Sequence, residues 1–83
     1  MPERIETLID NAIQNELSYD KDYITNDGWK FLENEAKEQT YNAILKDYDA
    51  DEIDTVTSDD IESYLSEVIH EYEQTHANIR YYD

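Results

Sequence analysis

Eighty-three residues make one domain, close to the lower size at which a single core sustains a fold. Twenty-two acids against six Lys and Arg set the formal net charge at −16, and no cysteine is present for a disulfide or a thiolate metal site. A chain this acidic repels nucleic acid and anionic membrane and favours basic partners, which argues against direct nucleic-acid binding through phosphate neutralisation.

Other bulk features bound the class. "MPERIETLID" lacks the apolar run of a signal peptide, and no stretch reaches the roughly 20 apolar residues of a membrane span. A cytoplasmic protein with no membrane partner is the expectation. A mean hydropathy of −0.95 with such charge points toward disorder. Eight Tyr, one Trp, one Phe and regularly spaced Ile, Leu and Val point instead to a fold, and single Gly and Pro residues leave almost no linker.

The first element is a helix over about residues 3–17. Ile5, Leu8, Ile9, Ala12, Ile13 and Leu17 recur at 3–4 spacing along one face. Pro2 suits the first turn and Glu3 complements the positive helix end. Glu16 falls within that stripe, so the helix is expected to end near it. A connector follows over 18–26.

The second helix is expected over 27–48, with Thr25, Asn26 or Asp27 as its cap and Glu33–Lys37 as an i,i+4 pair. Trp29, Leu32, Ala36 and Ala43 trace one stripe, and Tyr41, Ile44, Leu45 and Tyr48 a second, slightly rotated one. The polar patch Lys37–Thr40 interrupts both, which allows one bent helix or two short ones; the single bent helix is preferred. The third helix, over 58–76, carries Ile61, Tyr64, Leu65, Val68, Ile69 and Tyr72 on an arc of about 140°. Thr57 or Ser58 can cap it, and Thr57 with Asp60 has capping-box spacing. "TVT" at 55–57 is too short to indicate a sheet, and "NIRYYD" is unassigned. An all-α domain of three helices spanning 1–83 follows.

The stretch "KDYDADEIDTVTSDDIE", Lys46 to Glu62, holds the densest chemistry. Asp47, Asp49 and Asp51 occupy the first, third and fifth places of a calcium loop. Glu52 and Ser58 then stand where its turn glycine and bidentate glutamate belong, so no metal site is assigned. His70 and His76 are six apart, a poor spacing for shared ligation. No cysteine nucleophile or glycine-rich phosphate loop is present, and no catalytic residue or cofactor is expected. Carboxylate pairs abound, but three short helices seldom enclose the pocket a general acid needs.

Dense carboxylates at helical spacing on a rigid frame do match what a basic, nucleic-acid-binding groove recognises. Glu35/Glu38, Asp59/Glu62 and Glu67/Glu71 stand at i,i+3 or i,i+4, about 5–6 Å apart. The partner-binding set read from the sequence is Asp47, Asp49, Asp51, Glu52, Asp54, Asp59, Asp60 and Glu62, together with Glu33, Glu35 and Glu38. In size, acidity, helix content and tyrosine content the chain resembles the small inhibitors carried by phages and mobile elements. These include antirestriction proteins, anti-CRISPR proteins and inhibitors of uracil-DNA glycosylase, several of them DNA mimics. The resemblance is one of composition across the whole chain and rests on no alignable motif.

That resemblance implies a non-enzymatic inhibitor that blocks the nucleic-acid-binding groove of a host defence protein or other nucleic-acid enzyme. An antitoxin-like or regulatory adaptor, binding through Tyr and apolar contacts, is the alternative. A calcium-responsive helical protein is a third. Tyr64, Tyr72, Tyr41 and Tyr48 are assigned to core arcs; Tyr19, Tyr23, Tyr81 and Tyr82 are not placed, and a "YYD" terminus would suit a homodimer.

Overall fold

A computed structural model describes residues 1–19 (Tyr19 by its backbone), 24–76, 78 and 79. Four helices follow in order: α1 (Glu3–Tyr19), α2 (Asn26–Asn34), α3 (Ala36–Asp47) and α4 (Ser58–Thr75), with one 3-10 turn at Ile53–Thr55. The all-α class holds, and among the described residues there is no β-sheet. Tyr23, Tyr81 and Tyr82 lie outside the described residues.

The expected second helix is two helices, and the break falls at Glu35, ahead of the polar patch. Glu35 is at once the C-cap of α2 and the N-cap of α3, with φ −118° and ψ −32°. The reason lies in the buried positions Gly28, Phe31, Leu32, Ala36, Thr40 and Ile44. Steps of four residues advance a stripe by about 40° each on a helix of 3.6 residues per turn. From Gly28 to Ile44 a straight helix would carry the stripe about 160° around and into water. The break at Glu35 re-aims α3 so that Ala36, Thr40 and Ile44 return to the core.

Helix α1 also runs past its expected end. Glu16 is half-buried and the helix continues to Tyr19, because Ile13 and Leu17 on either side of it are both buried. Helix α4 carries both halves of its capping box: Thr57 Oγ1 accepts from the Asp60 N–H at 3.2 Å, and Asp60 Oδ2 accepts from the Thr57 N–H at 3.1 Å. Two orphan donors are thereby satisfied at its start.

Ile5, Ile9, Ala12, Ile13 and Leu17 of α1 meet Phe31, Leu32, Ala36 and Ile44 of α2 and α3, and Ile61, Leu65 and Val68 of α4. Tyr41, Tyr48, Tyr64 and Tyr72 pack against this core partly buried. Leu45, by contrast, is 44% exposed, so three of the four members of the second stripe read from the sequence face the core. Three short segments close the core from its ends: Ile24, Ile53 with Val56, and Ile79. Ile79 sits directly on Gly28, the only glycine. Its N–H donates to Glu73 Oε2 at 3.0 Å, and its carbonyl accepts the Thr25 N–H at 2.9 Å.

Candidate partner-binding surface

The acid-rich connector is held from both sides. Ile53 and Val56 insert into the core, and Arg4 Nη2 of α1 donates to the Val56 carbonyl at 2.9 Å. The 3-10 turn closes with the Thr55 N–H and Oγ1 both donating to the Glu52 carbonyl, at 2.9 and 2.6 Å. Ile53 and Val56 therefore point inward while the residues around them face solvent. Asp49, Asp51, Glu52 and Asp54 stand exposed on a turn whose apolar members are fixed, and Asp47, at the end of α3, is exposed beside them.

The antiparallel packing of α3 on α4 brings distant carboxylates together. Asp47, Asp60 and Glu67 line one groove of about 240 Å³ with Tyr48, Ser63 and Tyr64. At the other end of the same seam, Glu35 and Glu71 line a second groove of about 350 Å³ with Gln39, Tyr72, Gln74, Thr75 and His76. Among the described residues, neither groove is lined by a Lys or Arg. Asp60, Glu67 and Glu71 share one stripe of α4, and Asp60 to Glu71 spans about 16 Å at 1.5 Å per residue. Five carboxylates over that length give one charge per roughly 3–4 Å. One strand of duplex DNA carries one per about 3.4 Å of axis.

Side chains along the seam are fixed by each other. Tyr64 Oη donates to Asp47 Oδ2 at 2.5 Å and packs edge-on against Tyr48, ring centroids 6.4 Å apart. The bond to Asp47, followed by burial, raises the Tyr64 phenol well above its usual range. At the far end Phe31, Tyr72 and His76 stack, with centroid separations of 4.1 and 4.7 Å. Burial first, then the charges of Asp27 and Glu35, raises the Tyr72 phenol.

The remaining acids of the sequence-derived set are dispersed. Glu38 is exposed about 160° round α3 from buried Thr40, facing away from the core. Glu62 lies about 160° round α4 from Asp60, on the other flank of the buried arc. Asp59 is exposed in the first turn of α4. Glu33 lines a separate groove between α1 and α2, and Lys37, on the same groove, reaches across to α1, where it pairs with Glu6 at 3.0 Å and Asp10 at 3.1 Å. The hydrogen bond from Lys37 holds the Glu6 carboxyl below its ordinary value and raises the Lys37 ammonium. The seam instead recruits Glu67 and Glu71, whose i,i+4 spacing is plain in the sequence but whose orientation toward Asp47 and Glu35 is not.

Among the described residues no group of three or more His, Cys, Asp or Glu is arranged to hold a metal ion. His70 is exposed beside Gln74 at 3.0 Å, and His76 belongs to the ring stack. No described helix is long and apolar enough to cross a membrane. The fold and its surface define a four-helix all-α domain with an acidic ridge and an acidic seam. No protein-family model, no curated protein and no solved structure matches the chain.

Proposed function

We propose that this protein is a non-enzymatic inhibitor that offers nucleic-acid-like negative charge to a basic groove. The target class is a host defence protein (CRISPR or restriction) or another nucleic-acid enzyme, reached inside the cell. One observation carries the reading: the exposed acids of residues 47–54 sit on a turn pinned by Ile53 and Val56, and continue into an α3–α4 seam that, among the described residues, is lined by no Lys or Arg. Charge held rigid before binding costs little ordering entropy, so more of its attraction to target Lys and Arg survives as affinity.

The mechanism is competition. Asp49, Asp51, Glu52 and Asp54 steer the encounter, and Asp47, Asp60, Glu67, Glu71 and Glu35 pair with basic side chains that otherwise hold phosphates. The test is a pull-down from host lysate at low salt with a salt-gradient elution, repeated with Asp49, Asp51, Glu52 and Asp54 all changed to Lys. Basic nucleic-acid enzymes released late from the native protein, and absent with the variant, are the expected result. Capture of a neutral partner that ignores both salt and charge reversal would mean the adaptor alternative, with Tyr and apolar contacts carrying the binding.

A further inference from the structure

The groove between α1 and α2 is built differently from the seam. It has a volume of about 570 Å³ and a floor of Ile13, Leu17 and Leu32, with Trp29 as one wall. Trp29 is the only tryptophan of the chain and is half-buried, so its indole is shared between core and groove. The rim is charged: Asp10, Glu33 and Lys37. Lys37 is already engaged by two carboxylates, Glu6 and Asp10, at 3.0 and 3.1 Å. Among the described residues the rim itself holds two carboxylates and one ammonium, a net −1, and Glu6 beside it brings the cluster to a net −2 with Lys37 held by two of the three acids.

An apolar floor, an indole wall and an acidic rim are together complementary to one kind of occupant. We infer that this groove docks an Arg-bearing amphipathic helix of a protein partner. The helix lays its aliphatic face on Leu17 and Leu32, in the helix-in-groove manner of recognition. Its guanidinium groups reach Asp10 and Glu33 and stack on Trp29, where a planar cation gains from both charge and ring face. A polyanion is repelled by the rim, and an uncharged apolar segment leaves Glu33 unanswered and Asp10 with Lys37 alone. This docking mode goes beyond charge mimicry and does not depend on it, since the mimic surface lies on α3 and α4.

Trp29 fluorescence reads the groove directly. The probe is an amphipathic Leu/Arg peptide of roughly 18 residues, titrated beside a scrambled peptide of the same composition whose apolar residues share no face. A saturable blue shift of Trp29 emission at physiological salt is expected, with the scrambled peptide about tenfold weaker or worse. Gln14→Arg and Glu33→Lys, both at exposed positions, should each weaken the amphipathic peptide about tenfold with an unchanged circular dichroism spectrum. Should either variant lose its fold, alanines on the peptide's apolar face supply the same comparison against native protein.

Changing Asp49, Asp51, Glu52 and Asp54 to Lys should leave the Trp29 response in place. The inference is overturned by a flat Trp29 signal, by equal response to the scrambled peptide, or by loss of the response on that charge reversal. It is also overturned if Trp29 emission of the free protein shifts with its own concentration as a dimer forms in sedimentation, because the occupant is then a second copy.

Discussion

A Cβ added at Gly28 would stand 2.5 Å from the Ile79 Cα and closer still to its carbonyl oxygen. Helix propensity alone favours alanine over glycine there by about 1 kcal/mol. The backbone clash outweighs that preference, so Gly28→Ala should lower unfolding stability by roughly 1–3 kcal/mol in urea denaturation. A gain would mean that Ile79 does not seat on α2. Thr40 presents the opposite case: its side chain is wholly buried, and Oγ1 has no hydrogen-bond partner among the described residues. Thr40→Val keeps the shape and removes a desolvated hydroxyl, so stability should rise by about 1 kcal/mol. Tyr64 supplies a pH signature. Its folded-state pKa is raised by Asp47, so its contribution is present below about pH 10 and is lost as pH rises through the folded value. In absorbance titration at alkaline pH, Tyr64→Phe should remove a phenol that ionises above the usual tyrosine range.

At the scale of elements, the connector between α3 and α4 is where local and tertiary demands meet. Val56 is fully buried and Ile53 nearly so. Ile53→Ala should cost about 2–4 kcal/mol, the range for emptying a buried aliphatic site, and should loosen the turn that presents Asp51, Glu52 and Asp54. Thr57→Ala removes one half of the capping box and should cost about 1 kcal/mol. The two variants separate stability from presentation. Ile53→Ala should weaken partner binding beyond its effect on folding, whereas Thr57→Ala, read at a temperature where both are folded, should not.

Over the whole molecule, net charge opposes compaction. A formal charge of −16 on an elongated body of 42 × 24 × 19 Å repels itself at low ionic strength. Raising salt from about 10 mM to 0.5 M shortens the screening length from roughly 30 Å to a few Å. The melting temperature should therefore rise, by roughly 5 °C for each kcal/mol of relieved repulsion. Binding to a basic target should weaken over the same interval. Salt would thus stabilise the protein and dissolve its complex, two opposed trends measurable on one preparation. Replacing Asp49, Asp51, Glu52 and Asp54 by Lys should leave stability unchanged within about 0.5 kcal/mol or raise it, because exposed surface positions away from special contacts are near neutral.

The sequence by itself determined what depends on neighbours in the chain. The 3–4 spacing of Ile5 to Leu17 and of Ile61 to Tyr72 made α1 and α4 legible, and the Thr57–Asp60 pair marked where α4 starts, because helix faces and caps are set within a turn or two. The acidity of residues 47–54 was equally plain, since charge needs no fold to be counted. Tertiary structure alone decided the rest. The break at Glu35 comes from aiming six buried residues at a core that α1 and α4 define, so a stripe drifting by four-residue steps does not show it. Ile24, Ile53, Val56 and Ile79 are single apolar residues in short segments with no period to betray them, and only closure of the core buries them. The antiparallel crossing of α3 on α4 gathered Asp47, Asp60 and Glu67 at one end and Glu35 with Glu71 at the other, and left Glu38 and Glu62 aside. Spacing along a helix fixes which carboxylates share a face; only packing between helices fixes which faces meet.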